Sequence, residues 1–263
     1  MDMEQKIKDM ITNADLVLIG IGEEFEGIRH LKNQPDYCAM IEKVENADME
    51  WLIPAINQQF SKEVFMDVSF YEKALKALKN LSVLLKDKNY FVVTVATNDV
   101  VWEAGFKTGK IVAPCGGSFR KQSKKGQESL KEPIELTLEE KENLYQLIKV
   151  GTPELFRICL PEEEQGILNN IYAANYDERG YLTDWQTYTR WLQGTLNKKV
   201  CILELGVGMQ YPSVIRFPFE KAAYFNQKAD FIRVNQNLYH LTEELKDKGI
   251  SISENAVDWL ASM

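Results

Sequence analysis

The stretch from Val200 to Lys221, VCILELGVGMQYPSVIRFPFEK, decides the fold, because an apolar run leads into Gly206-Val207-Gly208 and then into a segment containing Pro212. Glycine lets the backbone turn sharply and come close to a ligand. The N–H groups at the start of a following helix favour phosphate or carboxylate, and Pro212 suits the first position of such a helix. The stretch is typical of a nucleotide-binding turn, although a GxG pair after a strand also serves tight structural turns.

Apolar strand-like runs alternate with helical patterns along much of the chain, which predicts βαβ units and a parallel sheet. The runs come from three separated pieces of sequence, residues 1–29, 87–118 and 197–263. We therefore predict an α/β fold whose sheet is assembled from these pieces. The predicted strands are Asp15 to Ile19, Tyr90 to Val95, Lys110 to Ala113, Val200 to Leu205 and Phe231 to Val234.

Two long stretches interrupt the alternation. Residues 30–86 have helical patterns throughout and predict a helical insertion. Residues 119–196 predict a small second module, because a loop rich in Gly, Ser and Lys leads into helices, with no strand between residue 116 and Lys199. The part from Arg120 to Lys125 carries four cations in six residues. We interpret it as a solvated loop or as a docking site for an anionic partner.

Three capping-box patterns mark helix starts, each a hydroxyl residue followed three positions later by Glu or Gln. They are Ser69 to Glu72, Thr137 to Glu140 and Thr183 to Gln186. The third opens a helix in which Trp185, Tyr188 and Trp191 recur at helical spacing. We interpret these aromatic residues as its buried face.

The composition limits the classes of protein to consider. The chain has 263 residues with 45% hydrophobic content, enough for one α/β core with a smaller added module. Its net charge of -8 disfavours nucleic-acid binding. The N-terminal stretch lacks the run of about 18 apolar residues that a membrane span needs and has no signal-peptide pattern. We therefore expect a cytoplasmic protein with no nucleic-acid or membrane partner.

The remaining motifs, taken in order, resemble a sirtuin. They are the GIG of residues 20–22, YFVVTVATNDVVWEAGF of residues 90–106, KIVAPCGGS of residues 110–118, and FIRVNQN of residues 231–237. They are similar to the family's GAG pyrophosphate loop, its TxNxD strand and AG turn, its catalytic HGS position, and, with the GVG stretch, its closing Rossmann half. The resemblance spans nearly the whole chain, is weakest at residues 30–86 and 119–165, and is closest to the macrodomain-linked bacterial sirtuins called class M.

This resemblance implies a Rossmann-like fold that binds NAD, with a small zinc-free module where the family carries its zinc domain. It implies NAD or ADP-ribose as a partner and a protein as the acceptor, which by analogy with class M is a lipoyl-carrier protein. Asn235 falls where the family contacts the adenosine portion of NAD, and it also suits a helix cap. The residues implied to hold NAD are Gly20, Ile21, Gly22, Gly206, Val207, Gly208 and Asn235.

The sequence departs from the family at the catalytic position. In sirtuin deacylation a histidine base activates a ribose hydroxyl, but Cys115 or Gly116 stands there in this chain. A gapless match puts Asn98 at the family's aspartate, whereas a local slip makes Asn98 the asparagine and Asp99 a displaced carboxylate. We predict Asn98, Asp99 and Cys115 as catalytic residues. Cys115 acts as base or nucleophile if nearby cations lower its pKa, and is otherwise an inert thiol.

The metal and phosphate motifs depart as well. The chain holds four cysteines without a CxxC pair and only two histidines, so we expect no bound metal. After Gly22, the carboxylates of Glu23, Glu24 and Glu26 replace the family's small hydroxyl residue. Like charges about 4 Å apart repel by about 1 kcal/mol even in water. These acids therefore either face solvent at a helix N-terminus or mark a modified or lost NAD site.

Two other enzyme classes fit less well. The LELGVGM segment resembles the glycine motif of an S-adenosylmethionine-dependent methyltransferase, but too little sequence follows Gly206 for that sheet. A dehydrogenase needs a full GxGxxG and a downstream acid, which are missing. The leading hypothesis is NAD-dependent transfer of ADP-ribose to a protein, or lysine deacylation. The alternative is an inactive sirtuin-fold protein that binds a nucleotide or a protein partner.

Overall fold

A parallel sheet and a smaller antiparallel sheet organise the protein in the computed structural model, which describes residues 3–65, 68–160 and 165–263. Parts of the predicted ranges at residues 1–2, 66–67 and 161–164 lie outside that description. The strands are β1 (Leu16–Ile21), β2 (Val64–Phe65), β3 (Val68–Ser69), β4 (Asn89–Thr94), β5 (Ile111–Val112), β6 (Gly116–Ser123), β7 (Ile134–Glu135), β8 (Ile158–Cys159), β9 (Gln165–Asn170), β10 (Val200–Leu205), β11 (Ala229–Val234) and β12 (Gly249–Ile252). The helices are α1 (Met3–Asn13), α2 (Ile28–Leu31), α3 (Pro35–Glu45), α4 (Ile53–Ser61), α5 (Phe70–Leu84), α6 (Val100–Glu103), α7 (Leu138–Lys149), α8 (Arg179–Gln193), α9 (Arg216–Phe225) and α10 (Ala256–Ser262).

The parallel sheet has the strand order β12-β11-β10-β1-β4-β5. Leu16 of β1 lies opposite Val200 of β10 on one side and Asn89 of β4 on the other. Helices α1, α5 and α10 pack on one face, and α8 and α9 pack on the other. Strands buried on both faces carry unbroken apolar runs, which is why these strands were readable from the sequence. The predicted α/β fold with a parallel sheet is confirmed. The edge strand β12 was not predicted, because it is a four-residue, half-buried GISI.

The strand order reverses at β1. The chain first extends the sheet to one side through β4 and β5, and later to the other side through β10, β11 and β12. The GIG and GVG loops therefore leave the sheet next to each other, and the Gly22 N–H donates to the carbonyl of Leu205 at 2.8 Å. In open parallel sheets, ligands bind at the carboxyl ends of the strands at such a reversal.

A second sheet contradicts the prediction that residues 116–196 lack strands. It is antiparallel, with the order β7-β6-β9-β8. The reason it escaped notice is that β6 and β9 bury polar residues, so their sequences lack an apolar alternation. Gln122 is 1% exposed, and its amide oxygen accepts hydrogen bonds from Asn169 and the backbone of Asp177. The predicted loop at Arg120 to Lys125 is thus wrong over its strand portion, where Lys121 is buried and pairs with Glu140 at 2.6 Å.

The helical insertion and the small module share one hydrophobic core. Tyr37, Val44 and Ile56 of the insertion pack with Leu144 and Phe156 of the module in a single buried cluster. Helix α5, by contrast, packs on the main sheet. Residues 30–86 were predicted to be helical throughout. The short antiparallel pair β2 and β3 contradicts that prediction.

Two of the three predicted helix starts are confirmed. Ser69 accepts from the Glu72 N–H, and Thr137 forms a full capping box with Glu140. The third is wrong, because α8 begins at Arg179, where the Asp177 side chain accepts from the backbone N–H, and Thr183 lies inside the helix. Its aromatic face does pack on the sheet, with the rings of Tyr188 and Phe91 5.4 Å apart. Within the described ranges, no helix is both long and apolar enough to cross a bilayer.

Helix α9 also begins later than predicted. It starts at Arg216, and Pro212 lies in the turn before it, where its carbonyl accepts from the N–H of Phe217 at 2.9 Å. The segment between the GVG loop and α9 is therefore a set of turns. A helix N-terminus does not follow the glycines directly, so the backbone of the loops, with the side chains around them, makes the site.

Candidate functional site

A cleft of about 470 Å³ opens at the carboxyl ends of β1, β10 and β11. Three of the residues predicted to hold NAD line it, namely Gly206, Gly208 and Asn235. The cleft lies where the strand order reverses, which is the position expected for a ligand in this class of sheet.

The glycines of the two loops serve mainly to bring the loops together. A Cβ on Gly22 would lie 2.3 Å from the carbonyl oxygen of Gly206 and from Cα of Val207, and Gly206 has a φ of +64°. Glycine is therefore needed at position 22 for the close approach and at position 206 for the left-handed backbone. Gly20 and Ile21 lie within β1, and a Cβ on Gly20 would clash with Ile215 at 2.4 Å. These two residues therefore support the cleft from inside the sheet.

Two of the acids after Gly22 turn into the cleft. Glu23 accepts a hydrogen bond from the backbone N–H of Gly208 at 2.6 Å. Glu24 accepts from the N–H groups of Gln236 and Ala256, at 3.0 and 2.8 Å. Such backbone donors at loop and helix ends are the groups that bind phosphate in other nucleotide sites. Of the alternative in which these acids face solvent at a helix N-terminus, one part agrees with the structure, since Glu24 accepts from the first residue of α10, but both carboxylates also bind backbone donors of the cleft.

Asn235 holds three segments of the cleft in place. Its side-chain oxygen accepts from the N–H groups of Asn237 and Leu238, at 2.9 and 2.7 Å, and its amide donates to the carbonyl of Val207 at 3.1 Å. It caps a turn, because no helix starts there. Asn235 thus fixes the GVG loop against the end of β11.

Helix α2 adds a cation, Arg29, to the lining of the cleft. Arg29 and His30 of α2 line the cleft, and the Arg29 guanidinium donates to the side chain of Gln236 at 3.1 Å. The cleft therefore combines backbone donors, cations and two carboxylates that already occupy some of the donors.

A buried ion cluster supports the cleft from below. Arg233 of β11 is 1% exposed and forms two hydrogen bonds, of 2.7 and 2.9 Å, with the fully buried carboxylate of Glu204. It also binds Glu220 at 2.7 Å. Arg216 contacts Glu204 at 3.2 Å and donates to the carbonyl of Val207 at 2.7 Å. Our sequence analysis missed this cluster, although a Glu and an Arg inside two apolar strands were a visible signal.

Asn98 and Asp99, two of the three residues predicted to be catalytic, lie in the loop after β4. The Asn98 amide donates to the carbonyl of Phe25 at 2.9 Å, and its side-chain oxygen is buried with no partner among the residues described. The Asp99 carboxylate accepts hydrogen bonds from the Ser118 hydroxyl of β6 at 3.1 Å and from the Gln58 amide of α4 at 3.3 Å. Asn98 thus contacts the acidic loop, whereas Asp99 contacts β6 and α4.

Cys115 lies directly before β6 of the antiparallel sheet and is 2% exposed. Burial, with a smaller effect from the charges of Glu26 and Glu23, raises the pKa of its thiol well above the ordinary value. No thiolate forms at neutral pH under these conditions. The condition under which Cys115 was predicted to be a base or a nucleophile, a pKa lowered by cations, is therefore not met.

Glu26 is the third acid of the loop, and its importance was missed in the sequence. It is 4% exposed, and its Oε1 atom accepts from the backbone N–H and the hydroxyl of Thr97, at 2.7 and 2.5 Å. Burial raises the pKa of this carboxyl to about 7, against the lowering effect of the two hydrogen bonds. A group with this pKa changes its charge near neutral pH.

The sheet order and the cleft at its reversal define a doubly wound α/β protein. No family model matches the chain. The particular fold is that of the Sir2 sirtuins. The structure is similar over 100% of this chain to Sir2Tm bound to a propionylated peptide, with a TM-score of 0.55, 12% identity and 97% of that chain covered.

Two further solved structures have the same fold. One is a mutant Sir2 homologue in complex with ADP-ribose, with a TM-score of 0.57, 10% identity, and coverage of 100% of this chain and 94% of that chain. The other is Sir2 with a p53 peptide and NAD+, with a TM-score of 0.52, 12% identity, and coverage of 100% and 97%. At these identities the likeness establishes the fold alone.

One curated protein is similar in sequence. A stretch of 70 residues is 26% identical to a protein ADP-ribosyltransferase of Staphylococcus aureus, covering 27% of this chain and 22% of that protein. The chain thus matches about a fifth of that relative's length. The finer resemblance to class M sirtuins, and the lipoyl-carrier acceptor it implies, stay predictions.

Proposed function

We propose that the protein binds NAD in the cleft between the GIG and GVG loops and transfers ADP-ribose from it to a protein. The main support is the position of this cleft at the reversal of the sheet, where Gly206, Gly208 and Asn235 converge. Sirtuins of the same fold have been solved with NAD+ and with ADP-ribose. The partial sequence match to an ADP-ribosyltransferase favours transfer to a protein over lysine deacylation.

The residues of the cleft suit a dinucleotide whose pyrophosphate displaces the Glu23 carboxylate. The N–H of Gly208 already binds an anion, the Glu23 carboxylate, so the backbone there has the geometry that a phosphate oxygen requires. Arg29, which lines the cleft, supplies positive charge. A pyrophosphate at this position has to displace Glu23. NAD binding is therefore expected to compete with a carboxylate of the protein itself.

The reaction that we propose takes place at the ribose carbon that carries nicotinamide. The glycosidic C–N bond breaks with its electron pair going to nicotinamide, and the acceptor's nucleophile bonds to the same carbon. We assign to Asn98 a hydrogen bond accepted from the substrate, and the buried side-chain oxygen that lacks a partner among the described residues supports this assignment. The predicted role of Asp99 in this step belongs to the same proposal, whereas Cys115, with its raised pKa, is proposed neither as base nor as thiolate nucleophile.

Glu23→Gln is expected to tighten binding of NAD and ADP-ribose about tenfold, because the variant removes a negative charge from the pyrophosphate position. Calorimetric titration of the wild-type protein and of Glu23→Gln with NAD and with ADP-ribose measures this change. Glu142→Gln is the matched control, since Glu142 is exposed on α7, far from the cleft in sequence and outside its lining. Equal or weaker binding by Glu23→Gln contradicts the proposed pyrophosphate position.

Nicotinamide release tests the catalytic assignment. Asn98→Ala is expected to lower the rate of release at least about tenfold, because a hydrogen bond to the reacting substrate is lost. Asp99→Asn is measured beside it. An unchanged rate in either variant removes that residue from the assignment.

The second candidate function is binding of a nucleotide without turnover. The observation that favours it is the pair of carboxylates already bound to backbone donors of the cleft, by Glu23 at Gly208 and by Glu24 at Gln236. NAD binding measured by calorimetry, together with nicotinamide release, separates the two functions. Binding without release favours the inactive protein, and absence of any binding contradicts both.

A further inference from the structure

Glu26 and Asn98 are both buried where the acidic loop meets the loop after β4. Two adjacent residues of the acidic loop, Phe25 and Glu26, pair with two adjacent residues after β4, Thr97 and Asn98. Both Thr97 hydrogen bonds reach the Oε1 atom of Glu26. The Oε2 atom receives no hydrogen bond from any residue that the structure describes. One carboxylate oxygen thus holds Glu26 in place and the other is left for a ligand.

The groups that face Glu26 come from four further elements, and all are neutral or acidic. Glu23 is on its own loop, Cys115 follows β5, Tyr172 follows β9, Tyr211 follows β10 and Tyr37 is on α3, each close enough to interact with Glu26 electrostatically. In the described part of the chain, no cation forms an ion pair with Glu26. Burial without a cation is the condition under which a carboxyl keeps its proton up to about neutral pH, and its pKa of about 7 fits.

A second observation points to a ligand beside Glu26 and Asn98. The side-chain oxygen of Asn98 is buried and lacks a partner among the described residues, although its amide group is fixed by Phe25. A buried acceptor without a donor is costly, so native proteins rarely retain one without a partner. A substrate that donates a hydrogen bond to Asn98 would lie beside Glu26, because Glu26 is bound to the residue next to Asn98.

We propose that Glu26 is the general base of ADP-ribose transfer and takes the proton of the acceptor group. The proposal rests on the proposed function. As the bond between the ribose carbon and nicotinamide breaks, the acceptor's O–H, N–H or S–H group forms the new bond to that carbon. Its proton passes to the Glu26 carboxylate, and the electron pair of the broken bond leaves with nicotinamide. Glu26 then returns the proton to solvent, so the step is balanced.

The test compares wild-type protein and Glu26→Gln in nicotinamide release across pH. Glutamine keeps an oxygen that accepts from Thr97 but cannot take a proton. The variant is expected to lower kcat about 100-fold or more while NAD binding by calorimetry stays within about threefold. A base works as the carboxylate, so the wild-type rate is expected to rise with pH through a midpoint near 7 and then level off. Glu26→Gln is expected to lose that midpoint.

Glu26→Asp and Glu142→Gln complete the experiment. Aspartate retains a carboxylate and is expected to restore part of the rate together with the pH midpoint, which a purely structural role would not produce. Glu142→Gln is the exposed control. The proposal is overturned if Glu26→Gln keeps the wild-type rate and pH profile, or if it changes NAD binding alone. If the wild-type protein binds NAD but releases no nicotinamide, the proposed transfer fails as well, and absence of NAD binding removes the cleft assignment too.

Discussion

Arg233→Met is expected to lower the free energy of unfolding by about 3–5 kcal/mol, because it leaves a buried carboxylate without its partner. Glu204 is fully buried, and Arg233 supplies two of its hydrogen bonds, at 2.7 and 2.9 Å. Methionine fills similar volume but has no charge. Arg216, 3.2 Å from Glu204, is the remaining cation, and its guanidinium is also engaged with the carbonyl of Val207. Urea-induced unfolding followed by circular dichroism measures the loss.

A double variant separates the unpaired charge from the loss of packing. Glu204→Gln combined with Arg233→Met is expected to recover most of the lost stability, since replacing both members of a buried pair is often nearly neutral. Arg190→Met, on the exposed side of α8, is the control and is expected to stay within about 0.5 kcal/mol of wild type. If Arg233→Met unfolds at the same urea concentration as wild type, the cluster does not stabilise the fold.

The cluster also connects stability with the cleft. Arg233 donates to the carbonyl of His240 at 2.7 Å, and Arg216 donates to the carbonyls of Val207 and Leu238. These carbonyls belong to the GVG loop and to the segment after β11, which form two walls of the cleft. The same buried charges that bind β10 to β11 therefore position the backbone that we propose to contact NAD.

The main sheet was predictable because each of its central strands is covered on both faces. A strand of that kind has an unbroken apolar run, as in Val200–Leu205, and such runs are visible without knowledge of their partners. The second sheet was hidden because its interior is polar. Asn169 and Asn170 are buried, and their amides bind Gln122 and the carbonyl of Trp51, so hydrogen bonds replace the apolar pattern on which sequence reasoning depends.

The site was predictable only in part, for a related reason. The close approach of the two glycine loops follows from motifs within each loop, and the contact of Gly22 with Gly206 agrees with it. The direction of the acids depends on contacts far apart in sequence, such as the hydrogen bond of Glu23 to Gly208. Three acids within the four residues after a glycine suggest a solvated turn. Glu26 alone of the three is buried, and it is bound to Thr97 of the loop after β4, a contact that the sequence of the acidic loop does not reveal.

Glu26→Gln is expected to become more stable than wild type as the pH rises, by about 3 kcal/mol between pH 4.5 and pH 8, relative to any offset at pH 4.5. The pKa of Glu26 is about 7 in the folded protein, against the ordinary value of 4.5. Between these values the unfolded chain has released the proton while the folded protein retains it. The folded state of the wild type therefore loses stability as the pH rises through this window, and above pH 7 the loss is complete. Glutamine does not titrate, so the variant escapes this loss.

Unfolding of both proteins in urea at several pH values measures the difference directly. Every other titrating group is common to the two proteins, so their pH dependence cancels in the comparison and the remaining curve belongs to Glu26. Glu142→Gln, at an exposed position, is expected to give a flat difference over the same range. A flat difference for Glu26→Gln would mean that Glu26 is ionised at its usual pH in the folded protein. The carboxylate would then be too weak a base near neutral pH for the role in proton transfer that we assign to it.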